Sequence, residues 1–453
     1  MTDLFNDFEG VSSKAWKQKI QVDLKGADYN ETLIWNSNEG IDVKPFYHSD
    51  DHGSVISKLP KETSEVNICQ SIYVNDSEKA NAKAIDAINK GATALIFKIP
   101  SEEIDLKKLL QDLDLSSIPI YFQFQYLSAD LIKSLQLLAS VSTMRLNIDL
   151  IGNLARSGNW FHNLKQDHQL LEEIMKKSSS FHSALSVDMS LYQNAGANMV
   201  QQLAYGMAHA NEYLNHFQNR LDQPIVFNVA IGTNYFFEIA KLRALRTLWS
   251  TLASEYEAET RCDIVVRPTK RNKTIYDYNT NLLRTTTECM SAIVGGADSI
   301  CNLPYDAIYH KDNEFGERIA RNQLLILKHE SYFDLVNNPS DGAYYIESLT
   351  NEMAQKALEL FKDIESNNGF LSQLKNGTIQ RKIKESASRE QQQFDDGKKV
   401  LLGTNKHPNA KDVMTNELEL YPFVKINKRK TLIEPIIEKR LAESMEQERL
   451  KSE

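Results

Sequence analysis

The residues best suited to chemistry lie where a short apolar run meets a polar turn. The run ends at Asp188, the turn holds Tyr192 and Gln193, and an Ala-Gly-Ala triplet at 195–197 opens a helical pattern. Barrel enzymes commonly keep catalytic side chains in such turns, at the carboxyl ends of their strands. Leu191 occupies the middle of this turn, and its side chain can neither transfer a proton nor bind a metal. The stretch therefore has the outline of an active site with an apolar residue at its centre.

Other runs also close on polar or ionisable side chains, which are Ser71, Tyr73, Lys98, Gln123, Asp149, Asn228, Arg267 and Asn302. Asp149 and Asp188 could act as bases or orient a ligand. An aspartate that ends a strand more often accepts hydrogen bonds from the following turn, and we favour that interpretation. None of the ten histidines clearly ends a run. The chain also lacks H-E-x-x-H, G-x-S-x-G and glycine-rich phosphate motifs, so these residues form no standard catalytic pattern.

A basic loop, R-P-T-K-R-N-K-T, follows the seventh run and contains Arg267, Lys270, Arg271 and Lys273. In (β/α)8 barrels the loops after the seventh and eighth strands often bind phosphate, and guanidinium groups bind phosphate oxygens in pairs. A solvated basic loop, or a contact with an acidic partner chain, explains the same residues equally well. The four positions are therefore candidates for an anion or partner contact, with the alternatives open.

The elements that must position these residues repeat along the middle of the chain. Short runs rich in β-branched residues alternate there with amphipathic helical patterns, which predicts a parallel sheet. The runs are residues 67–74, 92–99, 118–124, 143–150, 183–189, 225–231, 262–268 and 297–303. Eight such units over about 240 residues predict an α/β fold of the (β/α)8 TIM barrel type. A doubly wound open sheet is the alternative, because periodicity does not show closure.

The barrel leaves three other segments of the chain. The expected order is an N-terminal arm that contacts a partner (1–61), the barrel (62–335), a helical extension (336–415) and a charged C-terminal tail (416–453). The arm carries aromatic residues such as Trp16 and Trp35, which should pack on the barrel or on another chain. The tail is expected to form a charged amphipathic helix from about Leu432 to the end. No second α/β domain fits in these segments.

Composition narrows the function classes. The 453 residues are 42% hydrophobic and 25% charged, close to the average for a soluble globular protein. A formal net charge of −9 argues against a general nucleic-acid binder. The four widely spaced cysteines are typical of reduced thiols, and the chain has neither a signal-peptide pattern nor an apolar run of about 18 residues. We therefore expect a cytoplasmic protein without membrane or nucleic-acid partners.

Several blocks of the sequence, in the same order, resemble the methylmalonyl-CoA mutase family. They include the arm motifs "AWKQKIQVDLKG" and "EGIDVKPFY", the helix "GTNYFFEIAKLRALRTLW", and the later blocks "ERIARNQLLILKHES", "DGAYYIESLT" and "LLGTNKHPN". The similarity runs from about residue 14 to about residue 440. It implies an acyl-CoA-binding barrel in a family whose catalytic chain also has a cobalamin domain. That chain interconverts methylmalonyl-CoA and succinyl-CoA with adenosylcobalamin, within propionate metabolism.

The chain departs from the catalytic pattern of that family at three places. Leu191 stands where the family's G-Y-H-M-Q-E-A-G-A has its histidine, and residues 69–71, Cys-Gln-Ser, replace its R-Q-Y. The segment 267–273 lacks the histidine, glutamine and tryptophan of R-T-H-S-Q-T-S-G-W. The resemblance therefore implies a degenerate pocket, with no catalytic residue, that includes Cys69, Ser71, Asp188, Leu191, Tyr192 and Gln193.

The cobalamin motif D-x-H-x-x-G is also missing. Its nearest approximation, "DDHGSV", has Val55 in place of the glycine and lies in the arm, so we interpret it as chance. The resemblance then implies a non-catalytic small subunit that binds no cofactor and pairs with a large catalytic subunit, on which adenosylcobalamin is expected. Two alternatives stay open: an active barrel that works with a separate cobalamin-binding chain, and an unrelated barrel that acts on a phosphorylated ligand through Asp149 or Asp188.

Overall fold

Eight parallel strands form a closed barrel in the computed structural model, which describes residues 10–51, 65–128, 130–131, 142–425 and 428–453. The strands are β3 (Asn67–Tyr73), β4 (Ala94–Ile99), β5 (Ile120–Phe124), β6 (Met144–Ile148), β7 (Ser183–Asp188), β8 (Ile225–Ile231), β9 (Cys262–Pro268) and β10 (Ser299–Ile300), after the arm strands β1 (Trp35–Asn36) and β2 (Asp42–Val43). All eight predicted runs are confirmed as barrel strands. Residues 52–55 of the "DDHGSV" segment lie outside the described residues.

Closure of the barrel depends on its shortest strand. β10 pairs in parallel with β9 through Ser299 and Val265, and with β3 through Ser299 and Asn67. Two residues therefore join the two ends of the sheet. This pairing confirms the barrel over the open-sheet alternative, which periodicity alone left undecided.

Helices alternate with the strands and then continue beyond the barrel. They are α1 (Ser13–Asp23), α2 (Tyr29–Leu33), α3 (Ser77–Asn89), α4 (Leu106–Leu109), α5 (Leu150–Ser157), α6 (Leu164–Lys177), α7 (Ser190–Asn194), α8 (Met199–Phe217), α9 (Tyr235–Glu255), α10 (Thr280–Val294), α11 (Glu314–His329), α12 (Tyr344–Ser366), α13 (Gly369–Lys375), α14 (Thr378–Asp395) and α15 (Glu443–Ser452). None of these described helices is both long enough and apolar enough to cross a membrane. The described residues beyond α11 form helices, turns and loops, with no second parallel sheet among them.

Sequence determines these elements locally in simple ways. In α3, Asp76 caps the helix by accepting a hydrogen bond from the Lys79 amide at 2.8 Å. The buried residues of that helix, Ala80, Ala84 and Ala87, fall on one face at helical spacing, so the helix packs closely on the barrel. The main apolar core lies between the strands and the surrounding helices.

The arm packs on its own chain over part of its length. The Trp35 ring meets Phe237 of α9 edge-on at 5.5 Å between centroids, and Tyr47 lies 5.0 Å from Tyr345 of α12. α1 differs, because none of its residues is buried and Trp16 is 47% exposed. The later part of the arm, which contains Trp35 and Tyr47, is thus packed on the barrel and the helical extension. The first helix of the arm, α1, is exposed to solvent.

The tail does not form the helix that was expected from Leu432. That prediction is wrong for residues 432–441, which we call the strap, and α15 begins only at Glu443. Pro435 lacks the backbone N–H of a helix interior, and the backbone bonds to the barrel loops instead. The amides of Leu432, Ile436 and Lys439 donate to carbonyl oxygens of residues 158, 155 and 194. The strap therefore crosses the carboxyl end of the barrel.

Gly158, at the end of α5, makes one of these contacts possible. Its φ of +80° lies in the left-handed region, and a Cβ there would stand 2.8 Å from the carbonyl oxygen of Ile433. Only a residue without a side chain allows the strap to approach this closely without displacement.

Candidate functional site

The polar residues predicted to end the strands meet around one cavity of about 730 Å³ at the carboxyl end of the barrel. The predicted residues that line it are Ser71, Tyr73, Lys98, Gln123, Asp149, Asp188, Asn228, Arg267 and Asn302. Parallel strands bring their carboxyl ends to one edge, so residues far apart in sequence share this mouth.

The six residues of the predicted degenerate pocket lie in three different places. Cys69, Ser71 and Asp188 line the cavity, whereas Leu191 and Tyr192 are buried in the main core. The turn that holds them is the helical turn α7, in which Ser190 and Asn194 lie four residues apart and both line the cavity. The placement of Leu191 and Tyr192 in the pocket is therefore corrected, because a helical turn directs these side chains away from the mouth. Gln193 lines a different cavity.

That second cavity, of about 540 Å³, lies outside the barrel between the arm, the helical extension and the basic loop. Glu39 of the arm and Lys399 are among its lining residues. Burial raises the pKa of Glu39 despite its hydrogen bonds and the positive charge of Lys399. The arm thus contributes a half-buried acid to a cavity that the sequence did not predict.

The Asp149 carboxylate is held by hydrogen bonds from four groups of the protein. It accepts hydrogen bonds from the Gly152 amide (2.7 Å), the Asp188 amide (2.8 Å), His209 Nε2 (2.9 Å) and the Tyr213 hydroxyl (2.9 Å). Burial acts to raise the pKa of Asp149, but the charge of His209 and these hydrogen bonds bring it below its ordinary value. A carboxylate with so many donors is held as an anion in place and is poorly suited to remove a proton.

Sequence reasoning missed a buried chain of polar groups behind Asp149. The Tyr192 hydroxyl lies 2.9 Å from His209 Nδ1, and His209 Nε2 lies 2.9 Å from Asp149 Oδ1. Tyr192 and His209 are both fully buried. Tyr192 and His209 are 17 residues apart on different helices, and no local spacing announces their contact. The chain explains why Tyr192 turns inward: its hydroxyl finds a partner there.

Asp188 is also engaged, although it faces the cavity. One oxygen accepts from the Ser190 amide at 3.1 Å and the other from Arg156 at 2.6 Å. Arg156 also donates a hydrogen bond to the Glu438 carboxylate of the strap at 3.1 Å. Burial acts to raise the pKa of Glu438, yet the charge of Arg156 and smaller effects leave it below its ordinary value. Asp188 and Glu438 thus share one arginine.

The four cations of the basic loop do not act as a group. Arg267 and Lys270 line the barrel cavity. Arg271 is ion-paired with Glu390 of α14 and donates to the Lys439 carbonyl at 2.8 Å. Lys273 is buried and lies 2.8 Å from Glu288 of α10. Lys273 is therefore not exposed for the predicted anion or partner contact, because its charge is balanced inside the protein by Glu288.

Lys98 and Arg267 give the cavity its electrostatic character. The positive charge of Arg267, followed by burial, lowers the pKa of Lys98 to about 8.

Cys69 and Cys301 line the same cavity as free thiols. Burial raises the pKa of Cys69 far above its ordinary value, so its thiol is a poor nucleophile at neutral pH.

The opposite, amino-terminal end of the barrel interior is closed by paired side chains. Arg145 Nε donates to Asp263 at 2.7 Å, and His182 Nε2 lies 3.1 Å from the other oxygen of Asp263. The Tyr121 and Ser299 hydroxyls are 2.9 Å apart beside this group. Burial acts to raise the pKa of Asp263, but His182 and Arg145 bring it well below its ordinary value. These residues fill the interior beneath the cavity.

Comparison with known proteins gives a consistent family. A family model described as methylmalonyl-CoA mutase matches residues 97–451. The methylmalonyl-CoA mutase small subunit of Porphyromonas gingivalis is 33% identical, over 92% of this chain and 73% of that protein. The small subunit of Streptomyces virginiae is 26% identical, over 88% of this chain and 69% of that protein. The methylmalonyl-CoA mutase of Rhizobium meliloti is 28% identical over 87% of this chain, which spans only 64% of that relative.

Proposed function

The chain belongs to the methylmalonyl-CoA mutase family, and we propose that it is a small subunit without catalytic activity of its own. In this proposal it pairs with a large subunit that binds adenosylcobalamin and isomerises methylmalonyl-CoA and succinyl-CoA. Its own contribution is to stabilise that partner, because binding to the folded state alone is enough to stabilise a protein. Relatives named as small subunits support this assignment.

The observation that carries the proposal is that Asp149 and Asp188, the two carboxylates that the sequence offered as bases, are both held by other groups of the protein. No histidine lines the barrel cavity among the residues that the structure describes. Asp149 is saturated with donors, Asp188 and Glu438 are paired with Arg156, and Glu317 is paired with Lys83. General acid or base catalysis needs a group that is free to exchange a proton with the substrate. These carboxylates are held by their neighbours instead.

The cavity also fits adenosylcobalamin poorly. The described lining offers no imidazole to bind cobalt, and the described residues contain no cluster of metal-ligating side chains. The strap crosses the carboxyl end of the barrel and occupies space above the mouth. A corrin with its nucleotide is much larger than the ligands that cavities of this size usually hold. We therefore assign the cofactor to the large subunit.

The exposed helix α1 supports a role in assembly. An isolated helix of this length is marginal in water, and most helices are stabilised by burying an apolar face. α1 buries no residue, and Val22 is 72% exposed. Trp16 stacks on Phe46 of the arm at 4.8 Å but keeps half of its surface accessible. We infer that α1 packs against the large subunit.

Turnover and assembly test the proposal together. Mutase activity with adenosylcobalamin is measured for this chain alone, for the candidate large subunit alone and for the mixture, and complex formation is followed by size-exclusion chromatography. We expect a stable complex and no turnover by the isolated chain. Val22→Asp should weaken the complex by about tenfold or more, because it places a charge in an apolar contact. Val413→Asp, at an exposed valine outside the arm, is the matched control.

Two results would contradict the proposal. Turnover by this chain alone would show that its barrel is catalytic. Failure to form a complex with the large subunit would remove the proposed role in assembly. Equal weakening by Val22→Asp and Val413→Asp would leave the pairing intact but would contradict the assignment of α1 to the contact.

A further inference from the structure

Two cations at the barrel mouth have no counter-ion. Lys98 is the penultimate residue of β4 and Arg267 that of β9, and both side chains line the cavity. Neither side chain makes an ion pair or a hydrogen bond with any residue that the structure describes, and Nη2 of Arg267 is buried without an acceptor. A buried donor without a partner, and a charge removed from water, both cost free energy. Such costs are usually avoided in folded proteins, so the exception needs a reason.

Other buried cations show how the protein normally deals with this cost. All of the described buried cations except Arg321, which lines the same cavity, have a carboxylate within ion-pair distance. Examples are the pairs Arg145–Asp263, Arg271–Glu390, Lys273–Glu288 and Lys241–Glu238. The same holds for Arg156, which pairs with Asp188 on the wall of the cavity. The absence of a carboxylate beside Lys98 and Arg267 is therefore a local property of the mouth.

The two cations are also close enough to repel one another. The charge of Arg267 is the largest influence that lowers the pKa of Lys98, ahead of burial, and Lys270 acts in the same direction. Asp312 is the weakest of the named influences and acts oppositely. In the closed sheet β4 and β9 are separated by β10 and β3, so rigid strands from different sides of the barrel bring these charges together.

The other charged residues of the cavity do not neutralise Lys98 and Arg267. Arg321 bonds to neutral acceptors, the Gln70 side chain at 2.9 Å and the Lys90 carbonyl at 3.2 Å. The acids Asp188, Glu438 and Glu317 are already paired with other cations. Asp312 also lines the cavity, but it makes no ion pair with Lys98 or Arg267 and has only a weak influence on Lys98. Among the described residues, therefore, no carboxylate pairs directly with these two cations.

We propose that the barrel mouth binds a compact oxyanion, a carboxylate or phosphate group, between the Lys98 ammonium and the Arg267 guanidinium. Guanidinium groups bind such oxyanions through parallel hydrogen bonds, and an ammonium adds a point charge. A cavity of about 730 Å³ also accommodates a small organic group attached to the anion. The site does not depend on the proposed subunit role and would bind its ligand in the isolated chain.

Titration of the full chain tests the site. Inorganic phosphate and succinate are titrated by calorimetry at low ionic strength, with the uncharged succinamide as a third probe. We expect at least one anion to bind and succinamide not to bind. Lys98→Met and Arg267→Met should each weaken binding about tenfold or more, since each removes a charged hydrogen-bond donor. Lys79→Met is the matched control, because Lys79 is exposed and does not line the cavity.

A second measurement uses the unaltered protein. The rate of Lys98 acetylation by acetic anhydride is followed by mass spectrometry with and without the anion, and Lys79 serves as the internal reference. We expect the anion to slow modification of Lys98 several-fold and to leave Lys79 unchanged. Preference for phosphate over succinate, or the reverse, identifies the ligand class. Absence of binding by both anions, binding that survives both methionine variants, or unprotected Lys98 would overturn the proposal.

Discussion

The two ends of the barrel interior treat charge in opposite ways. At the amino-terminal end, Arg145, Asp263 and His182 form a compact group in which each charge has a partner. At the carboxyl-terminal mouth, Lys98 and Arg267 stand together without a carboxylate. The paired side chains at the amino-terminal end fill the barrel interior. The unpaired cations at the mouth leave positive charge that a bound anion can neutralise. Buried charge therefore serves structure at one end and points to a ligand at the other.

The largest effect on this contrast is expected from removing the Asp263 carboxylate at the amino-terminal end of the barrel interior. Asp263→Ala leaves Arg145 buried without its carboxylate, and we expect it to lower the free energy of unfolding by about 4 kcal/mol. Urea unfolding followed by circular dichroism measures the change. Ser183→Ala, at a buried residue of the same barrel end, is the control and should cost much less. A loss below about 1 kcal/mol for Asp263→Ala would show that the pair contributes little and that the two ends do not differ in this respect.

An intermediate effect is expected where the strap approaches the mouth. Gly158→Ala adds a methyl group 2.8 Å from the Ile433 carbonyl oxygen and keeps a positive φ, so we expect a loss of about 2 kcal/mol. Gly397→Ala has a similar φ of +71° but no atom within 4 Å, and should lose only about 1 kcal/mol. Thermal unfolding of both variants separates backbone strain from the steric contact. Equal losses would contradict a close contact between strap and barrel.

The smallest effect is expected at the mouth itself. Lys98→Met removes an unpaired charge, and in buffer without phosphate or carboxylates we expect it to raise stability at pH 7 by about 1 kcal/mol. The pKa of Lys98 in the folded chain, about 8, lies below its ordinary value of 10.5. Between these pH values the unfolded wild-type chain binds more protons, so wild-type stability rises relative to the variant as pH increases.

Urea unfolding of the two proteins from pH 7 to 10.5 measures this trend. The advantage of the variant should shrink as the pH rises above about 8 and then reverse, because a lowering of the pKa from 10.5 to about 8 corresponds to about 3 kcal/mol. A stability difference that stays constant with pH would show that Lys98 titrates normally. A marked loss of stability in Lys98→Met at pH 7 would show instead that its charge is balanced within the fold.

Sequence predicts the parts of this molecule that depend on local patterns. Runs of β-branched residues located all eight barrel strands, and their last residues met at one mouth as the fold requires. The pairing of Arg145 with Asp263 was not predictable, because 118 residues separate them and periodicity does not fix which side chains oppose each other. Leu191 shows the same limit, since a single helical turn decides whether a residue enters the cavity or the core.

The tail illustrates a different limit. Its charged amphipathic composition predicted one helix from Leu432, but Pro435 and hydrogen bonds to distant loops favour an extended course up to α15. Such bonds join the strap to residues 155, 158 and 194, which lie far earlier in the chain. Local propensity does not contain that information. Tertiary contacts decided the conformation of this segment.

The strap has a consequence for the order in which the protein assembles. Its backbone binds loops that follow β6, β7 and β9, so its docking surface exists only after those strands have come together. Contacts between such distant parts of the chain form late in folding, because closing a long loop costs entropy before the contacts compensate for it. During synthesis and refolding we therefore expect the barrel strands to come together before the strap covers their mouth. Docking of residues 432–441 marks the completion of that process.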